Sequence, residues 1–219
     1  MHKKIQMFAL TKTAYNQDVF FLLVIVSFLL LALIKGAYWK HARLFFMGVV
    51  AQRYANQYLR EENAFVERLN ALTFFLMIIN FLLLIAKLQS INNLESLLLL
   101  LLFLLLFFIV KKLVIIFLGF LFKQNDLAKL TAFFSFLFDK TFGVLLFPLV
   151  VIAHFFIFDV SQYVLVITFY LFVIFLFLKL FSLWKIGRSS FGLSSIYIFL
   201  YLCLVEISPL LLLAKWILY

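Results

Sequence analysis

Several apolar runs of roughly 20 residues are the feature that most constrains how this chain can fold. A helix of that length crosses the ~30 Å hydrocarbon core of a bilayer. Hydrophobic residues make up 68% of the 219-residue sequence, whereas a soluble domain would carry about 45–50% apolar residues. The sequence therefore predicts an all-α fold, a single integral-membrane domain over residues 1–219 that forms a polytopic transmembrane helical bundle.

Hydropathy predicts about six spans in this bundle. They lie at residues 19–39, 70–88, 94–112, 141–159, 161–181 and 193–215. The third is ambiguous, because apolar residues resume after Lys111 and Lys112 and continue to Phe122. We predict that this span ends at the two lysines and that residues 113–139 form an in-plane or re-entrant segment.

Positive charge is divided unevenly between the two sides of a six-span bundle. One side holds 14 of the 19 Lys and Arg residues, and the positive-inside rule places that side in the cytoplasm and both termini on the opposite side. The anionic headgroups of membrane lipids account for a basic face of this kind. Membrane lipids are therefore the expected partners, and we expect no nucleic-acid partner. The richer side comprises Lys35, Lys40, Arg43, Arg53, Arg60, Arg68, Lys111, Lys112, Lys123, Lys129, Lys140, Lys179, Lys185 and Arg188.

The loop at residues 42–69 has the pattern of a cytoplasmic amphipathic helix. Its apolar residues recur at intervals of three, four or seven, the spacing of one helical face. Such a helix either lies on the membrane or under the bundle, or presents a face to a protein partner or ligand. The candidate docking residues are Arg53, Tyr54, Gln57, Tyr58, Arg60 and Glu61.

Glu206 is the residue least explained by general apolarity, because it lies inside the sixth predicted span. A carboxylate there must find a partner, lose its charge or contact water. Pro209 follows three residues later and frees a backbone carbonyl near Val205, while Tyr201 precedes Glu206 by five residues. His154, in the fourth span, either pairs with Glu206 across the bundle or bonds to a backbone carbonyl. Glu206 itself is either a structural hydrogen-bonding group or a group with a proton, ion or substrate role.

Motifs for catalysis are scarce in this sequence. It contains no Gly-rich phosphate loop, HExxH or GxSxG, and no Cys/His cluster at ligand spacing. The pairs Asp139–Lys140 and Lys185–Arg188 are interpreted as the ends of spans. We therefore expect no cofactor and no metal, and favour a protein that is not an enzyme.

The C-terminal segment holds a distinctive set of residues, which are Tyr197, Tyr201, Leu202, Cys203, Glu206, Ile207 and Pro209. With this set the segment resembles the signature of an uncharacterised family of bacteroidete integral-membrane proteins, classified as a domain of unknown function. The stretch Gly143–Pro148, GVLLFP, is similar to the fourth span of that family. The resemblance implies a bacterial inner-membrane location and supplies no activity.

Two functions remain open from the sequence. In the first, the protein is a non-enzymatic component of an envelope-assembly or secretion machinery, with residues 42–69 docking a partner. We expect the chain to bind a protein partner or to form a homo-oligomer. In the second, it is a small transporter or flippase that uses Glu206 as its coupling carboxylate. The first is favoured, because Asn80, His154 and Glu206 are few polar residues for the interior of a transporter.

Overall fold

The chain forms a bundle of long helices. The computed structural model describes residues 2–61, 64–89, 91, 93–121, 125–155, 158–191 and Glu206, and these residues contain no strand. This confirms the prediction of an all-α membrane bundle. The helices are α1 (His2–Ala37), α2 (Trp39–Val50), α3 (Gln52–Arg60), α4 (Ala64–Leu88), α5 (Leu94–Leu121), α6 (Asn125–Phe155) and α7 (Phe158–Phe191).

Five helices in the described part of the chain are long and apolar enough to cross a membrane. Each overlaps one of the first five predicted spans, and the short connections from α4 to α7 make consecutive helices antiparallel. The sixth predicted span, 193–215, lies outside the described residues except for Glu206. The candidate spans are Asp18–Ala37, Ala64–Leu88, Leu94–Phe120, Lys129–Phe155 and Val166–Ile186.

Helix α5 differs from the predicted third span because it does not end at Lys111 and Lys112. It continues without a break to Leu121, and α6 begins at Asn125. The predicted in-plane segment 113–139 is therefore divided between these two long helices. The physical reason is that Lys111 is buried against carboxylates, so its charge does not force the helix to leave the apolar region.

The predicted single amphipathic helix over residues 42–69 is instead divided into α2, α3 and the start of α4. The break between α2 and α3 is at Ala51, whose backbone is extended, with φ −138° and ψ 122°. The two short helices fold back on each other at Gly48, where an added Cβ would lie 3.2 Å from the Cβ of Ala55. This close approach lets α2 and α3 form a compact hairpin.

The α2–α3 hairpin covers one end of the bundle, which we name the capped end. Tyr58 of α3 is 1% exposed and packs on Phe45 of α2 and Phe133 of α6, with ring centroids 5.4 and 6.0 Å away. Its hydroxyl donates to the carbonyl of Val66 at 3.3 Å. Burial, with the carboxylate of Glu61, raises the pKa of the Tyr58 phenol, so this core group stays neutral.

Helices α4 and α6 approach each other closely at Gly143. An added Cβ there would lie 2.6 Å from the Cγ and 2.7 Å from the Cα of Met77. One turn along α4, the Nδ2 of Asn80 donates to the carbonyl of Gly143 at 2.8 Å. The small residue thus allows a hydrogen bond that links the two central helices.

Replacing Gly143 tests this packing. We expect Gly143→Ala to destabilise the bundle by about 1–3 kcal/mol through overpacking, measured as a lower melting temperature of the detergent-solubilised protein. Gly36→Ala is the matched control, because nothing lies within 4 Å of its added Cβ. Equal melting temperatures for the two variants would contradict the close approach of α4 and α6.

Candidate functional site

Four charged side chains from four segments meet inside the bundle. Lys111 comes from α5, Asp139 from α6, Lys179 from α7, and Glu206 from the C-terminal segment. With a rise of 1.5 Å per residue, the three helical positions lie about 10–15 Å from the capped end of their candidate spans. All three therefore lie at one level, inside the hydrocarbon thickness.

The four groups form a closed ring in which positive and negative charges alternate; we call it the charge ring. The Nζ of Lys111 lies 2.7 Å from Asp139 Oδ2 and 3.0 Å from Glu206 Oε2. The Nζ of Lys179 lies 2.6 Å from Asp139 Oδ1 and 2.6 Å from Glu206 Oε2. Each lysine thus contacts both carboxylates, and each carboxylate contacts both lysines.

Ser135 completes the coordination of Glu206. Its hydroxyl donates to Glu206 Oε1 at 2.5 Å. Ser135 precedes Asp139 by four residues on α6, so the two side chains share one helical face. Both oxygens of the Glu206 carboxylate are therefore bonded, one to a hydroxyl and the other to two ammonium groups.

Because the ring is largely buried, its stability depends on the balance of its positive and negative charges. The side chain of Glu206 is 1% exposed, and those of Lys111 and Lys179 are 6% and 5% exposed. Removing one partner from a buried ion pair costs about 3–5 kcal/mol, since an uncompensated charge is left behind. With two cations and two anions the ring is neutral, and that neutrality allows it to lie at this depth.

A cavity of about 110 Å³ adjoins the charge ring. All four charged residues contribute to its wall, and the rest of the wall is mainly aromatic, including Phe81, Phe108 and Phe142. A single water needs only about 10–15 Å³ of such volume. The cavity is thus large enough to hold several water molecules against the charged groups.

The predicted intramembrane residues have different positions. Glu206 lies in the charge ring, whereas Tyr201 and Pro209 lie outside the described residues. His154 does not pair with Glu206: its Nδ1 donates to the carbonyl of Val150 at 3.1 Å, and its ring lies 5.4 Å from that of Phe20. The reason is distance, because His154 follows Asp139 by 15 residues, or about 22 Å along α6.

Sequence reasoning missed the partners of Glu206. A hydropathy profile treats a charged residue as the boundary of a span. It therefore places Lys111, Asp139 and Lys179 at or near the ends of spans. The available signal was the continuation of apolar sequence on both sides, as at Lys111, which is followed by Leu113–Phe122. A charge with apolar sequence on both sides is a candidate for burial with a partner.

The predicted docking residues lie on α3 and at its end. Tyr58 belongs to the core and is unavailable to a partner. The apolar residues that recur at helical spacing in 42–69 do not form one buried face, since Met47, Tyr54 and Phe65 are 38%, 37% and 48% exposed. Glu61 is half-buried and lies 3.5 Å from His41. Among the predicted docking residues, those exposed on α3 are Arg53, Tyr54, Gln57 and Arg60.

The described residues offer no metal site, because among them no three His, Cys, Asp or Glu side chains converge. The chemistry available to the charge ring is that of protons and ion pairs, with a carboxylate as the exchangeable group and lysines as its counter-charges.

Comparison with known proteins places most of the chain in one family. The model of the Domain of unknown function (DUF4271) matches residues 20–217. The chain belongs to this family. The matched region contains all four members of the charge ring and the C-terminal segment on which the resemblance rested. No curated protein and no solved structure matches the chain.

Proposed function

We propose that this protein is a small proton-coupled transporter or flippase and that the charge ring is its coupling site. The observation that carries the proposal is the alternating ring of Lys111, Asp139, Lys179 and Glu206 beside a cavity within the spans. Ionisable groups inside a membrane are costly to bury and commonly belong to proton or ion pathways.

The ring also adds polar residues to the interior of the bundle. Few polar residues in the predicted spans disfavour a transporter, but the interior also contains Lys111, Asp139 and Lys179. Glu206 and Ser135 add two further polar groups at the same point. The interior therefore has the concentrated charge that the transporter hypothesis requires.

The geometry suggests how a proton would act on this site. Water in the cavity could deliver a proton to Glu206. Protonation would neutralise its carboxylate and change the net charge of the ring from zero to +1. The two lysines would then share Asp139 as their one counter-charge in the ring, and the net positive charge would weaken the contacts that Glu206 makes with Lys111 of α5 and Lys179 of α7. Proton binding would in this way be linked to a change in helix packing.

A specific observation supports a second candidate, a docking role in an envelope-assembly or secretion machinery. Helix α3 carries Arg53, Gln57 and Arg60 on its exposed face, while Ala55 and Tyr58 anchor the opposite face in the core. A polar face held on a packed hairpin is suited to bind a soluble partner. This role is compatible with coupling, since the hairpin covers the end of the bundle nearest the ring.

We also propose that the protein spans a bacterial inner membrane with its capped end in the cytoplasm and both termini in the periplasm. Lys111, Lys112, Lys140 and Lys179 lie inside the candidate spans and no longer count as loop charges. Their removal leaves a ratio of ten to five in favour of the capped end. The charge asymmetry on which the orientation rests therefore persists.

Cysteine labelling tests the orientation and the docking role in one set of variants. Gln57→Cys in a Cys203→Ala background should be shielded from a membrane-impermeant thiol reagent in intact cells, whereas Tyr219→Cys should be labelled. Labelling of Gln57→Cys but not of Tyr219→Cys would reverse the orientation.

The same Gln57→Cys variant reports on docking in opened membranes. If a soluble partner covers α3, washing off peripheral proteins should increase the labelling of Gln57→Cys but not of a cysteine at Lys185, which is exposed on α7. Labelling that is equal before and after washing would contradict a soluble partner on this face.

Proton flux tests the coupling role. The purified protein should be reconstituted in vesicles made from the lipids of its source membranes, so that a lipid-soluble substrate is present, and a membrane potential imposed. We expect an entrapped pH dye to report faster proton entry than in empty vesicles, and Glu206→Gln to reduce entry to that background. Gln keeps the shape of the side chain but cannot exchange a proton.

Glu95→Gln is the matched control, because Glu95 is exposed at the start of α5 and its loss should leave proton entry unchanged. A wild-type rate equal to that of empty vesicles, or a Glu206→Gln rate equal to that of the wild type, would contradict the proposal. Comparable reconstitution of each variant is checked by the amount of protein per vesicle.

A further inference from the structure

A second cavity lies against a different face of α5 and α6 from the one that carries the charge ring. It has a volume of about 540 Å³ and is bounded by α4, α5 and α6, with Phe45 of α2 contributing from the capped end. We call it the lysine cleft, because Lys112 and Lys140 both line it. These are the residues directly after Lys111 and Asp139, and consecutive residues on a helix point about 100° apart.

The lysine cleft carries positive charge without a balancing carboxylate. The Nζ of Lys140 donates to the side-chain carbonyl of Asn70 at 3.1 Å, which is a neutral acceptor. Within the described part of the chain, neither Lys112 nor Lys140 lies within 4 Å of a carboxylate oxygen, and Asp139 already contacts two other lysines. The cleft therefore differs from the ring, which is neutral.

The remaining wall of the lysine cleft is apolar. It includes Phe74, Phe108, Phe136 and Ile109. The apolar surface extends beyond the cleft along α5, where Leu113 and other large side chains are exposed. An anion alone would leave this wall unused, and an uncharged apolar ligand would leave two lysines uncompensated.

We propose that the lysine cleft binds an anionic amphiphile taken from the membrane. Its phosphate or carboxylate lies between Lys112 and Lys140, where the amide of Asn70 fixes one of the two ammonium groups. Its hydrocarbon chain packs on Phe74, Phe108 and Ile109 and leaves the cleft along α5. The site is separate from the charge ring, so this inference does not depend on proton coupling.

Retention of lipid by the purified protein tests the proposal. In detergent, the protein is mixed with phosphatidylglycerol or with phosphatidylcholine of the same chains, and the bound lipids are counted by native mass spectrometry. We expect phosphatidylglycerol to be retained at least several-fold more than phosphatidylcholine. Lys112→Gln/Lys140→Gln should reduce that preference to near unity, and Lys112→Arg/Lys140→Arg should keep it.

The matched control is Lys185→Gln/Arg188→Gln, which removes two exposed positive charges from α7 near the same end of the bundle. It should retain phosphatidylglycerol as the wild type does. Equal retention of the two lipids by the wild type would overturn the site, as would full retention by the Gln variant of the cleft. Displacement of the lipid by an equal concentration of inorganic phosphate would also contradict it, since the anion alone would then be sufficient. If the double Gln variant does not fold, the single variants Lys112→Gln and Lys140→Gln are compared in its place, and a lipid preference that both keep in full would overturn the site.

Discussion

Mutual neutralisation of four charges inside the bundle, three of them buried and Asp139 partly buried, is the interaction on which the structure depends. Transfer of a single ammonium or carboxylate group into an apolar interior costs several kcal/mol even after relaxation. In the charge ring every charged group has two opposite charges within 3.0 Å. This arrangement lets α5 continue through Lys111 and α7 through Lys179, and it connects α5, α6, α7 and Glu206, which are far apart in the sequence.

The long apolar helices could be predicted from the sequence. A membrane helix makes all its backbone hydrogen bonds within one segment, so each span is visible as one continuous apolar run. Glu206 could also be singled out, since it is one carboxylate in an apolar run. Its partners could not, because the hydrogen bonds to Lys111 and Ser135 span 95 and 71 residues. Such pairings are set by helix packing. The apolar sequence on both sides of Lys111 marks it as a candidate for burial, but it does not indicate which groups Lys111 contacts.

The amphipathic pattern of residues 42–69 shows a different limit. Its periodicity is real within each short helix, and Ala55 and Tyr58 are both buried. The extended backbone at Ala51 resets the helical phase, however, so residues before and after it do not share one face. That break is made possible by the contact of Gly48 with Ala55, which is a tertiary feature.

Adjacent residues on α5 and α6 have opposite environments. Lys111 and Asp139 face the neutral charge ring, while Lys112 and Lys140 face the lysine cleft. Phe108 lines both cavities and lies between the two sites. The two sites therefore share the side chain of Phe108 and the helices α5 and α6. This arrangement would allow a protonation event and an amphiphile bound in the cleft to influence each other.

The most direct test of the account is whether the ring is stabilised by its charge balance. Lys179→Met leaves two carboxylates with one lysine, whereas Lys179→Met/Glu206→Gln leaves the neutral pair of Lys111 and Asp139, which are 2.7 Å apart. In the melting temperature of the detergent-solubilised protein, we predict a large loss for Lys179→Met, corresponding to about 3–5 kcal/mol, and recovery of most of it in the double variant. Lys185→Met, at an exposed position, should have little effect. A double variant that is no more stable than Lys179→Met, or a Lys179→Met protein as stable as Lys185→Met, would contradict the account.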